Sequence, residues 1–127
     1  KWGITGSDAP YITPTRGKYL SMQETVKELG HENRVIDILK IDCEGCEWSS
    51  YKDWLELDIR QILVETHGTP ENVNAFFDDL LNAGYMIFSK EPNIHPTALL
   101  RGMFVEWGFI KLHPNFSKPD MPPAAVG

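Results

Sequence analysis

Basic residues are scarce in this chain: 12 Lys and Arg stand against 18 Asp and Glu, a formal net charge of −6. The cations are scattered and form no stripe, which argues against DNA or RNA as a partner. Cysteine is nearly absent. Cys43 and Cys46 are too few for the disulfide framework of a small secreted module, and they leave the redox compartment open. No apolar run approaches the roughly 20 residues that a transmembrane helix needs. The opening KWGITGSDAP lacks the charged-then-apolar order of a secretory signal. There is no internal repeat.

What is present suits one globular domain: 127 residues, 42% apolar and 24% charged. Trp2 to Ile4 reads as a short strand or loop, followed by irregular chain to residue 19. Ser21 and Glu24 have the spacing of a capping box; Met22, Val26 and Leu29 then share a helical face, and Gly30 ends it. Val35 to Ile41 is apolar at most positions and β-branched at several, the composition of a strand covered on both faces. A helix from about Cys46 to Leu57 carries Trp48, Tyr51 and Leu55 on one side, and a strand over Ile59 to Glu65 follows. Thr69 caps the next helix, Pro70 takes its first position, Val73, Phe76, Phe77 and Leu80 form its buried stripe, and Gly84 stops it.

Tyr85 to Phe88 makes a further strand, and Val105, Trp107 and Phe109 alternate in a last one. Between them, Lys90 to Met103 could face a substrate or simply connect. Residues 1–112 therefore form the domain, and 113–127, with four prolines, an extended tail. Strands alternating with helices predict an α/β fold with a mostly parallel sheet. The missing helix before the last strand makes that strand antiparallel. The order is that of half a doubly wound sheet.

In such a sheet, ligands gather beyond the carboxyl ends of the strands. Asp42, Cys43, Glu44 and Gly45 follow one strand; Glu65, Thr66, His67 and Gly68 follow the next. If these strands are neighbours, Asp42, Glu44, Glu65 and His67 converge on one rim. They could bind a divalent cation or act on a substrate proton. Alternatively the acids cap the following helix, the reading preferred for Glu47. His67 has the reference pKa of a general base, near 6.5, but could equally be a loop hydrogen-bonder. His31, His95 and His113 read as loop residues.

The CxxC pair admits a redox reading, since a helix N-terminus lowers a thiol pKa. Against it, Glu44 and Glu47 disfavour a thiolate, and there is neither an aromatic residue directly before Cys43 nor a proline between the cysteines. A zinc centre would need a second ligand pair; His67 and Glu65 could supply one, but there is no second CxxC, and no metal is assigned. Small buried residues are the plainer account of both cysteines.

DILKIDCEGCEW resembles the "LLK-I-D-x-E-G-x-E" signature of FkbM-type S-adenosylmethionine-dependent methyltransferases. RQILVETHGTP, FFDDLLNAGYMIFSKEPNI and VEWGFIKL are similar to the methyltransferase-like branch of that group, and the likeness spans about residues 18 to 112. The resemblance implies a Rossmann-like class I methyltransferase sandwich, present here as its carboxyl-terminal half. It also implies S-adenosylmethionine as cofactor, a small-molecule, sugar or protein methyl acceptor, and Asp42, Glu44 and His67 as acceptor orienters or base. The family's glycine-rich cofactor loop has no counterpart here, because Gly3 and Gly6 in WGITGS have neither its spacing nor an adequate strand before them. A degenerate methyltransferase kept as a scaffold subunit is the alternative. Either way, the half-sheet would expose surfaces for a partner chain to cover.

Overall fold

The computed structural model describes residues 2–7, 18–68, 71, 73–94 and 104–116. Two short strands, β1 (Gly3–Ile4) and β2 (Tyr19–Leu20), pair in parallel. Helix α1 (Met22–Glu28) starts at the expected capping box: the Glu24 amide donates to Ser21 Oγ, and the Ser21 amide to the Glu24 carboxylate. Gly30, at φ 68°, turns the chain out of it. Leu29, expected on the buried face, is half exposed, because the helix ends one residue before it.

Four strands form the main sheet in the order β3 (Ile36–Ile41), β4 (Ile59–His67), β6 (Phe104–Lys111), β5 (Tyr85–Pro92). β3 and β4 are parallel, and β6 runs antiparallel to both of its neighbours, β4 and β5. The last strand is thus reversed, as the missing helix before it predicts. The sheet is mixed and the architecture is α/β. Between its strands lie α2 (Glu47–Leu55) and α3 (Val73–Asn82).

The core forms where these helices meet one face of the sheet. Ile41, Ile62, Val64 and Phe109 come from the strands, Tyr51 and Trp54 from α2, and Phe76 and Leu80 from α3. Phe76 lies at the centre, with the rings of Trp48, Tyr51 and Phe77 edge-on to it at 5.1–5.2 Å between centroids. Such pairs add to area burial because each ring's positive edge meets a negative face. The opposite face departs from expectation. Ile38, Met86 and Phe88 are 44–56% exposed, so the strand over Ile36–Ile41 is covered on one face rather than two. An apolar β-branched run is compatible with either state, since periodicity does not report what packs on it.

β4 and β5 both run further than expected, to His67 and Pro92, because the β6 ladder pairs with each of them along most of its length. A bulge between Ile87 and Ser89 leaves Phe88 unpaired, and its ring lies over Gly108, where a Cβ would come within 2.8 Å of it. The expected helix start at Thr69 and Pro70, and the loop from 95 to 103, lie outside the described residues. So does the tail from 117 on. Among the described residues, no helix is long and apolar enough to cross a membrane.

Phe76→Ala removes the ring on which three aromatics converge, and is expected to cost about 3–5 kcal/mol. Urea denaturation measures this; a loss below about 1 kcal/mol would mean that the core collapses around the gap.

Two buried phenols generate a second expectation. Tyr51 donates to Asp79 Oδ2 at 2.9 Å, and burial, then that bond and the Asp79 charge, push its pKa up to about 12. Tyr85 donates to the Ile59 carbonyl at 2.7 Å; burial and the Asp58 charge also raise it to about 12. Unfolded tyrosine ionises near 10, so the unfolded chain loses these protons first. The stability they confer is complete below about pH 10 and is lost as pH rises toward about 12. The urea midpoint should fall across that window, less steeply in Tyr51→Phe.

Candidate functional site

The parallel register of β3 and β4, with Ile41 beside Val64, brings the loop after β3 to the carboxyl end of β4. There the chain turns sharply. Glu44 adopts φ 57° and Gly45 φ 115°, so a non-glycine residue holds a left-handed conformation that costs on the order of 1 kcal/mol. Cys43 and Cys46 close this turn as a disulfide, with 5.4 Å between their Cα atoms. The two cysteines, expected as small buried residues with their redox state open, are linked and only half-buried, and the tight turn is what brings them within bonding reach.

The turn feeds α2, and its first residue, Glu47, folds back under the rim. Glu47 is fully buried. Its Oε2 accepts from the Gly45 amide at 2.9 Å, while Oε1 accepts from the His67 amide at 2.7 Å and lies 3.0 Å from His67 Nδ1. Cys43 Sγ also sits 3.3 Å from this carboxylate, but a disulfide sulfur carries no proton to donate. With Glu47 accepting, the hydrogen of the imidazole is on Nδ1, which leaves the Nε2 lone pair facing outward.

Nε2 faces three further carboxylates. It lies 3.7 Å from Asp42 Oδ1, 3.7 Å from Glu44 Oε2 and 3.6 Å from Glu65 Oε2. The side chain of His67 is 8% exposed, against 46% for Asp42 and 74% for Glu44. Phe104, paired with His67 across the β4–β6 ladder, packs its ring on the imidazole at 4.7 Å. Trp48 Nε1 donates to the His67 carbonyl at 2.9 Å, and Asn93 Nδ2 donates to Glu65 Oε1 at 2.8 Å. Asp42, Glu44 and His67 each offer one ligand atom, all within 4.8 Å of one another.

The four residues expected on one rim are thus brought together, with His67 as the last residue of β4 rather than part of a following loop. Glu47 is the one whose part the sequence reading missed. In place of the expected capping of α2, it spans from the helix to the β4 end. The spacing Asp42-x-Glu44-x-x-Glu47 around Gly45 was the available signal, since a glycine turn there returns the third acid toward the strand. His31 and His113 lie in loops, as expected, and His95 is outside the described residues.

The amino-terminal glycines do not fit a cofactor cradle. A Cβ on Gly6 would collide with the Ser49 carbonyl oxygen, and one on Gly3 would lie 2.6 Å from the Tyr19 ring. Both glycines serve close packing. The nearby Ser7 amide and hydroxyl donate to Asp53, binding this segment to α2 at 2.5–3.0 Å.

An α/β domain with ionisable side chains gathered where parallel strands end belongs to a class that places its chemistry at that edge. Residues 1–111 match the family model described as a methyltransferase domain, and the chain belongs to that family. No curated protein and no solved structure matches it.

Glu47→Gln places an amide N–H₂ or a weaker acceptor against three donors. It is expected to lower stability by about 1.5–3 kcal/mol, the range for hydrogen bonds to a charged group. Chemical denaturation reads the change, and an unaltered midpoint would show that Glu47 is not the tie described.

Proposed function

We propose that this chain is the acceptor-side part of an S-adenosylmethionine-dependent methyltransferase of the FkbM type, with a Rossmann-like class I sandwich, transferring methyl to an oxygen or nitrogen acceptor. The observation that carries the reading is the convergence of Asp42, Glu44 and His67 at the carboxyl ends of adjacent parallel strands, in a chain of the methyltransferase-domain family. S-adenosylmethionine, when bound, would supply an electrophilic methyl group. Since the glycines at positions 3 and 6 do not fit its cradle, the described residues are assigned the other half of the task.

That half is to hold the acceptor and ease the loss of its proton. Asp42 and Glu44, both solvent-accessible, accept hydrogen bonds from hydroxyl or amine groups and fix their orientation. The Glu47-anchored imidazole of His67 adds a lone pair in a set direction. Orientation and proton management together are worth several powers of ten in rate. Acceptors with several hydroxyls, a sugar above all, suit a rim with this many acceptor oxygens; a small metabolite or a protein side chain is compatible with it.

One observation favours a second reading. The exposed apolar face of Ile38, Met86 and Phe88 is of the kind that a partner chain covers. A scaffold subunit descended from a methyltransferase would keep that surface and dispense with turnover.

In the intact protein, Asp42→Asn is expected to lower methyl-transfer turnover about 100-fold, while calorimetric titration shows S-adenosylmethionine bound with little change. Undiminished turnover in the variant would remove the rim from the chemistry. No heat of binding in the wild-type protein would favour the scaffold.

A further inference from the structure

Negative charge at the rim exceeds what the described residues neutralise. Asp42, Glu44, Glu47 and Glu65 surround one imidazole, and among the described residues no Lys or Arg lies within ion-pairing reach of any of them. Glu47 and Glu65 are buried, where uncompensated charge is costly. The side chain of His67 is more than nine-tenths buried, and its Nε2, aimed at Asp42 and Glu44, is beyond hydrogen-bond distance of every carboxylate that it faces. Its Nδ1, by contrast, is held by Glu47 at 3.0 Å. An imidazole fixed through one nitrogen to a buried carboxylate, with the other aimed among exposed carboxylates, has the arrangement of a metal ligand and its orienting partner.

We propose that Asp42, Glu44 and His67 form a binding site for a divalent metal ion, with Mn²⁺ the ion that the donors favour. Two carboxylates and one imidazole make a mostly hard set; the imidazole favours Mn²⁺ over Mg²⁺ or Ca²⁺. Zinc draws on thiolates or several imidazoles, and the nearest sulfurs are closed in the Cys43–Cys46 disulfide. The three donor atoms already lie within 4.8 Å of one another. Metal bonds of about 2.0–2.2 Å require only that the exposed Asp42 and Glu44 side chains swing inward, while the imidazole stays where Glu47 holds it. Glu65, 3.6 Å from Nε2 and bonded to Asn93, remains beside the ion to accept from a coordinated water or hydroxyl.

The role of this ion in the reaction rests on the function proposed above; the site itself does not. In that role, an acceptor hydroxyl oxygen takes an open coordination position. Its O–H bond breaks with the electron pair kept on oxygen, and the proton passes to water at the open rim. A bound cation lowers the cost of that step by stabilising the anion formed.

The test is a titration of metal-stripped intact protein with Mn²⁺, followed by loss of the free-ion electron paramagnetic resonance signal. One ion per chain is expected. Asp42→Asn and Glu44→Gln, both at exposed positions and checked for folding by circular dichroism, should each weaken binding about tenfold or more. Glu32→Gln, on a distant loop, should not. A signal that never diminishes overturns the site, as does equal binding by all variants, which would mark a diffuse acidic surface. The titration contains no methyl donor or acceptor. A protein that binds Mn²⁺ but transfers no methyl group therefore keeps this site and loses the function above, and one that transfers methyl without binding Mn²⁺ does the reverse.

Discussion

The contact between Glu47 and His67 is the tie on which the rim depends. It joins the first residue of α2 to the last residue of β4, two points brought together only by the fold. A carboxylate this deeply buried is tolerable because three N–H groups converge on it, so each is tethered by the needs of the others. One bond goes to the His67 backbone and another to its ring, which leaves the imidazole no freedom to choose its tautomer or its direction. The loop of residues 42–46 is held in the same way, through the Gly45 amide and the disulfide.

Around that tie, the molecule is one-sided. The aromatic cluster centred on Phe76 concentrates the apolar packing of α2 and α3 on one face of the sheet. The other face carries exposed Ile38 and Phe88 beside a surface ion pair, Lys40 to Glu106 at 2.7 Å. A solvent-exposed pair of this kind contributes little to stability. It does place charge on a face that also exposes apolar side chains, and so restricts what can dock there.

Much of the architecture was legible in the residues. The Ser21 and Glu24 pair specified a helix start through local hydrogen bonds that need no tertiary information, and Gly30 and Gly84 marked helix ends because both take positive φ. The reversed last strand followed from a missing crossover. Less legible was whatever depends on partners far away in sequence: the length of β4 and β5, set by pairing with β6, and the exposure of Ile38, set by what does not lie over it. At the rim, placement after parallel strands was enough to single out Asp42, Glu44 and His67. The burial of Glu47 was hidden, since a glutamate opening a helix reads as a dipole partner wherever its side chain finally goes. The disulfide was hidden too, because bonding distance depends on a left-handed turn at Glu44 that composition does not announce.

The position of β6 has a consequence for how the chain is made. The last of the described strands is an interior one, inserted between β4 and β5. Until residue 111 has emerged, those two strands have nothing between them, and two hydrogen-bonding edges stay open on the nascent protein. The interval before β6 inserts is therefore the period of greatest exposure to chaperones and to mispairing.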